Sequence, residues 1–100
     1  MKEITVKELK ELVDSKANYQ LIDVREQHEF DESNLNGELI PMGEVFDNLD
    51  RISKDKKVII HCRSGKRSAT IIQAIEAQHG HSNLYNLKGG ILAYIEEIGL

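Results

Sequence analysis

Short apolar runs alternate along the chain with stretches whose apolar residues recur at helical spacing. The first such stretch opens on Thr5-Val6-Lys7-Glu8, in which the threonine can cap the first helical turn and the glutamate reach back to it. Leu9, Leu12 and Val13 then share one face, and the pattern predicts a helix ending near Ser15. Tyr19 to Val24 is short, apolar and rich in strand formers, and it stops abruptly at charged residues, as a buried strand does at its edge. A short helix is expected over Glu26 to Phe30 and a brief strand over Glu38 to Ile40, ended by Pro41. Val45, Phe46 and Leu49 give a small helix.

The clearest strand is Lys57 to His61, flanked by the turn SKDK before it and CRSGKRS after it. Ile71, Ile72 and Ile75 then mark one face of a helix from about Ser68 to Gln78, with Gly80 as its terminating residue. Leu84 to Leu87 supplies a last strand. After Gly89-Gly90, Ile91, Ile95 and Ile98 mark a closing helix packed on the sheet. Alternation of this kind, with no internal repeat or linker, predicts an α/β layer fold.

With 100 residues the chain has room for one domain, residues 1–100. It has 40% hydrophobic and 30% charged residues, the balance of a folded globular chain. No apolar stretch approaches the roughly 18 residues of a spanning helix, so neither membrane insertion nor a secretory leader is expected, and a cytoplasmic monomer is the default. Seventeen acidic residues against 13 basic give a net charge of −4, which argues against a nucleic-acid partner. Locally the sign reverses: Arg63, Lys66 and Arg67 directly follow the only cysteine, Cys62. Such a cluster repels itself unless an anion sits among it.

A lone cysteine at a strand end is usually structural, but here it meets the positive end of the next helix beside three cations. Those influences can lower the pKa of a thiol that is otherwise only about 3% ionised at neutral pH, and Cys62 has both available. Gly65 permits a tight turn whose N–H groups can surround the sulfur. Arg67 and Lys66 could neutralise a bound oxyanion, Arg67 in bidentate fashion, while Ser64 and Ser68 offer hydroxyls, Ser68 equally as a helix cap. No metal site is read from the sequence: His79 and His81 are expected at a solvated helix end, and His61, pointing opposite to Cys62, is expected to support the sheet.

LIDVREQHEF, the strand leading into HCRSGKRS, and NLKGGILAYIEEIGL together resemble the rhodanese-type sulfurtransferases, over nearly the whole chain from Ile4 to Leu100. The resemblance implies a rhodanese-like domain with a central, mostly parallel sheet flanked by helices on both faces. It implies that Cys62 takes sulfane sulfur from a small donor such as thiosulfate, holds it as a persulfide without metal or organic cofactor, and passes it to a thiol, cyanide or protein acceptor. Arg63, Ser64, Gly65, Lys66, Arg67 and Ser68 match the family's active-site loop, and Asp23 and Arg25 its mainly structural DVR pair. Two departures lie outside the loop. Ser33 to Glu38 stands where the family often has Gly-His-Ile-x-Gly-Ala, and Tyr94 stands where it has Trp. GELIPMGE also resembles rhodanese domains fused to adenylating enzymes that serve sulfur-carrier proteins.

Two other functions compete with sulfur transfer. Related phosphatases and arsenate reductases space the anion-binding arginine as C-x5-R, whereas Arg67 gives C-x4-R, a loop one residue short for a phosphate ester. A non-catalytic interaction or regulatory module is the other alternative, and such modules usually lose the cysteine. With no second thiol to resolve a persulfide, any acceptor must come from outside the chain.

Overall fold

The computed structural model describes residues 1–100, and one sheet organises them. Five strands, β1 (Lys2–Ile4), β2 (Tyr19–Asp23), β3 (Glu38–Leu39), β4 (Lys57–His61) and β5 (Leu84–Leu87), lie in the order β1-β5-β4-β2-β3. All four pairings are parallel, so the sheet expected to be mostly parallel is wholly so. Parallel neighbours require crossover connections, and these are made by α1 (Val6–Asp14), α2 (Gln27–Glu32), two short 3-10 helices (Met42–Glu44 and Phe46–Arg51) and α3 (Lys66–His79), with α4 (Gly90–Glu97) closing the chain.

Both faces of the sheet are covered, because strand residues alternate between two cores. Ile22, Val58, Ile60 and Leu84 pack with Ile71, Ile72 and Ile75 of α3 and with Val45. Leu21, Ile59 and Leu87 pack with Val6 and Leu9 of α1 and Tyr94 of α4. Residues buried on both sides account for the nearly continuous apolar run in β4. No helix is long and apolar enough to cross a membrane.

The predicted cap of α1 forms in full: Thr5 Oγ1 accepts from the Glu8 N–H at 3.1 Å, and a Glu8 carboxylate oxygen accepts from the Thr5 N–H at 3.0 Å. Several expectations are corrected. Strand β1 has no counterpart in the sequence reading; it is three residues long, with Lys2 and Glu3 exposed. Helix α3 starts at Lys66 rather than Ser68, because Gly65 adopts φ 105° and turns the chain into the helix early. The segment around Val45 and Leu49 forms 3-10 turns with a kink at Asn48, and Phe46 is exposed. On α1 the buried residues are Val6 and Leu9, while Val13 faces solvent. On α4 the packed face is Ile91, Tyr94 and Ile98, and Ile95 is exposed: the aromatic ring, the larger apolar body, takes the inward position.

Candidate active site

Cys62 follows the last residue of β4, in the centre of the sheet, and α3 begins four residues later. This is the carboxyl edge of the strands, where parallel sheets leave a crevice for ligands. The side chain is buried, and its sulfur faces the backbone of the loop that follows. Gly65 N–H donates to Sγ at 3.1 Å, Ser68 N–H lies at 3.5 Å and Ser68 Oγ at 3.4 Å. Burial alone would push the thiol up, but the Ser68 hydroxyl and the N–H groups of Ser68, Gly65 and Arg67 outweigh it and hold Cys62 below its ordinary value. The expected ring of N–H donors is therefore present, and hydrogen bonding from the loop dominates the depression.

The loop is itself held from outside. Ile91 and Leu92, in the first turn of α4, donate to the carbonyls of Cys62 and Arg63 at 3.0 and 3.1 Å. Gly90 makes this approach possible, since a Cβ there would overlap both carbonyls. From β5, Asn86 Nδ2 donates to the Gly65 carbonyl at 3.1 Å and its Oδ1 accepts from the Ser68 hydroxyl. Nothing in the sequence reading singled out Asn86. Its one signal is a polar residue in the otherwise apolar end of LYNL.

The structure brings Cys62, Gly65 and Ser68 together; Arg63, Ser64 and Lys66 lie exposed on the outer side of the loop. Arg67 departs from expectation. Its guanidinium makes a bidentate pair with Glu29 of α2, with both N···O distances 2.8 Å, so it is already occupied. Arg67 holds the Glu29 carboxyl down to about 2. Glu29 was missed because the pair joins residues 38 positions apart.

Beneath the site, Asp23 and Arg25 form a buried ion pair, 2.8 Å between Oδ2 and Nη2, more enclosed than the partly buried pair expected. Arg25 Nη2 also donates to the Ser33 carbonyl, tying the segment after α2 to the sheet. His61 is fully buried with Nε2 3.6 Å from Asp23 Oδ2, and burial pushes it down despite that carboxylate. A neutral sheet residue fits the role expected of it. His79 is exposed, whereas His81 is buried, which corrects the solvated helix end expected for both. A surface pocket of about 650 Å³ lies beside β2 and β3, lined by Tyr19, Gln20, Glu38 and Arg51 among others, and includes no residue of the loop.

Comparison with known proteins agrees with this fold. The family model of the rhodanese-like domain matches residues 5–97. YtwF of Bacillus subtilis, provisionally named a sulfurtransferase, is 34% identical over 95 residues, covering 94% of this chain and 90% of that protein. The "probable adenylyltransferase/sulfurtransferase MoeZ" of Mycobacterium tuberculosis is 33% identical over 98 residues; the match covers 95% of this chain but spans only 25% of that relative. A crystal structure of a rhodanese-like domain protein from Staphylococcus aureus has a TM-score of 0.84 at 35% identity, covering 94% of this chain and 91% of that one.

Proposed function

We propose that this chain, which belongs to the rhodanese-like domain family, is a sulfurtransferase whose persulfide-forming residue is Cys62 and whose residues 1–100 form one such domain. The observation that carries the reading is the convergence of loop donors on Sγ, with Gly65 N–H at 3.1 Å. Donors aimed at a sulfur stabilise the thiolate before transfer and the terminal anion of the persulfide after it.

In the first half-reaction the Cys62 thiolate attacks the outer sulfur of thiosulfate. The sulfur–sulfur bond of the donor breaks, its electron pair leaves with sulfite, and Cys62–S–S⁻ remains. In the second, a thiolate, cyanide or a protein acceptor attacks the outer sulfur and the Cys62 thiolate is released. No step needs a metal or an organic cofactor. A reducing compartment such as the cytoplasm keeps a lone thiol free for this work.

A protein acceptor draws support from relatives with sulfur-transfer names, among them the adenylyltransferase/sulfurtransferase above. A phosphatase reading draws less. The loop is short by one residue, and the arginine such chemistry would need is paired with Glu29. The non-catalytic module is disfavoured by a retained cysteine on which the Gly65 and Ser68 N–H groups converge.

Intact mass spectrometry after incubation with thiosulfate tests the proposal. The wild type should gain one sulfur atom, lose it to cyanide with release of thiocyanate, and Cys62→Ser should gain none. Equal uptake by both proteins, or uptake by neither, overturns it.

A further inference from the structure

The loop carries three cations, but only two of them are unpaired. Arg63 and Lys66 are exposed and make no ion pair, whereas Arg67 gives both ends of its guanidinium to Glu29. Glu29 is in turn fixed in place. Its Oε1 accepts from Arg67 and also from the Glu26 N–H at 3.0 Å, and its Oε2 accepts from Arg67, so the carboxylate is tied to its own helix as well as to the loop. With its carboxyl held down to about 2 by Arg67, Glu29 stays ionised at any working pH.

A dianion arriving at this loop therefore meets a neutral pair where the sequence places a free guanidinium. To engage Arg67 it must displace a doubly anchored carboxylate, or else bind beside that negative charge. A donor with a single charge faces less of this repulsion and loses less by the absence of a free guanidinium.

We propose that Glu29 is a specificity-determining residue: by holding Arg67 it selects singly charged sulfane donors over the thiosulfate dianion. The inference rests on the sulfur-transfer reading of Cys62. Glu29 acts through Arg67 and does not itself touch the reacting sulfur. Its effect therefore shows in the charge dependence of donor use. The chemistry is the same for both classes: the thiolate takes the outer sulfur, and the donor's sulfur–sulfur electron pair leaves, with sulfite in one case and with a sulfinate in the other.

Thiosulfate and methanethiosulfonate make a matched pair of probes, because a methyl group replaces one anionic oxygen and the transferred sulfur is the same. With cyanide as acceptor, Glu29→Gln should raise kcat/KM for thiosulfate about tenfold, chiefly through KM, and change that for methanethiosulfonate less than about threefold. Added salt should shrink the gain. In an Arg67→Gln background the same Glu29 substitution should no longer raise thiosulfate use relative to methanethiosulfonate. A ratio between the two donors that Glu29→Gln leaves unchanged, or loss of both activities together, overturns the inference and leaves the assignment of Cys62 standing. A wild type that takes sulfur from neither donor overturns both.

Discussion

Ser68 Oγ and Asn86 Oδ1 stand 2.5 Å apart, the shortest of the contacts open to the Ser68 hydroxyl as donor. The direction follows from a carbonyl: Asn86 Nδ2 donates to Gly65 O, so the amide must present its oxygen, which only accepts, to Ser68. While Cys62 is a neutral thiol, Ser68 can thus offer Sγ a lone pair. When Cys62 ionises, the hydroxyl can turn from Asn86 to the sulfur 3.4 Å away. Ser68→Ala removes this donor and should raise the thiol pKa by about one unit, the size expected for one hydrogen bond to a charged group. The pH dependence of the iodoacetamide alkylation rate measures it. An unchanged midpoint would assign the depression to the backbone N–H groups alone.

Asp23→Asn should damage the fold far more than the thiol. Arg25 donates to Asp23 from its backbone N–H, Nε and Nη2, all buried, and its charge would be left without a counterion. Removing one partner of such a pair costs roughly 3 to 5 kcal/mol. Urea unfolding should show that loss, while the alkylation rate of the folded fraction stays near the wild-type value. Preserved stability with a slowed thiol would move the pair into the reaction.

The parts of this structure that were legible in the sequence are those whose signals are local. Thr5 and Glu8 cap a helix within four residues, and β4 is an unbroken apolar strand. The loop after Cys62 is likewise contiguous, so the sequence alone places Cys62, Gly65 and Ser68 together. Strand β1 was hidden because its meaning lies in pairing with β5, at the far end of the chain. Tyr94 and Ile95 compete for one inward position, and periodicity alone favoured the isoleucine. Arg67 was seen as a charge but not as half of a pair, since only the seating of α2 against α3 brings Glu29 to it. Asn86 is a single polar residue in a strand, whose partners are set by the sheet order.

The Glu29 pair has an acid signature. A carboxyl held down to about 2 in the fold, from an ordinary 4.5, contributes stability that is fully present above the ordinary value. That contribution should fade as pH falls through the interval between 4.5 and 2. Urea midpoints measured from pH 5 to about pH 2.5 should therefore fall more steeply for the wild type than for Glu29→Gln. Parallel curves would show that the pair does not stabilise the fold.

Two glycines separate strain from collision. Gly80 has φ 68° in open space, and Gly90 has φ 62° pressed against the carbonyls of Cys62 and Arg63. Gly80→Ala should cost about 1 kcal/mol, the penalty of a left-handed backbone for a residue with a Cβ. Gly90→Ala adds the overlap and should cost at least twice as much, with a rise in thiol pKa as the loop is displaced. Equal losses in urea unfolding would mean that α4 yields without disturbing Cys62.

The grip of Ile91 and Leu92 on the carbonyls of Cys62 and Arg63 makes the shape of the loop depend on a helix that follows it in the chain. A nascent chain that has emerged only as far as Gly89 already contains the whole loop, yet lacks the two amides that fix its backbone. Its cysteine would behave as an ordinary one, slow toward electrophiles and oxidants. The donors proposed to activate Cys62 would converge on its sulfur only once α4 docks against the loop.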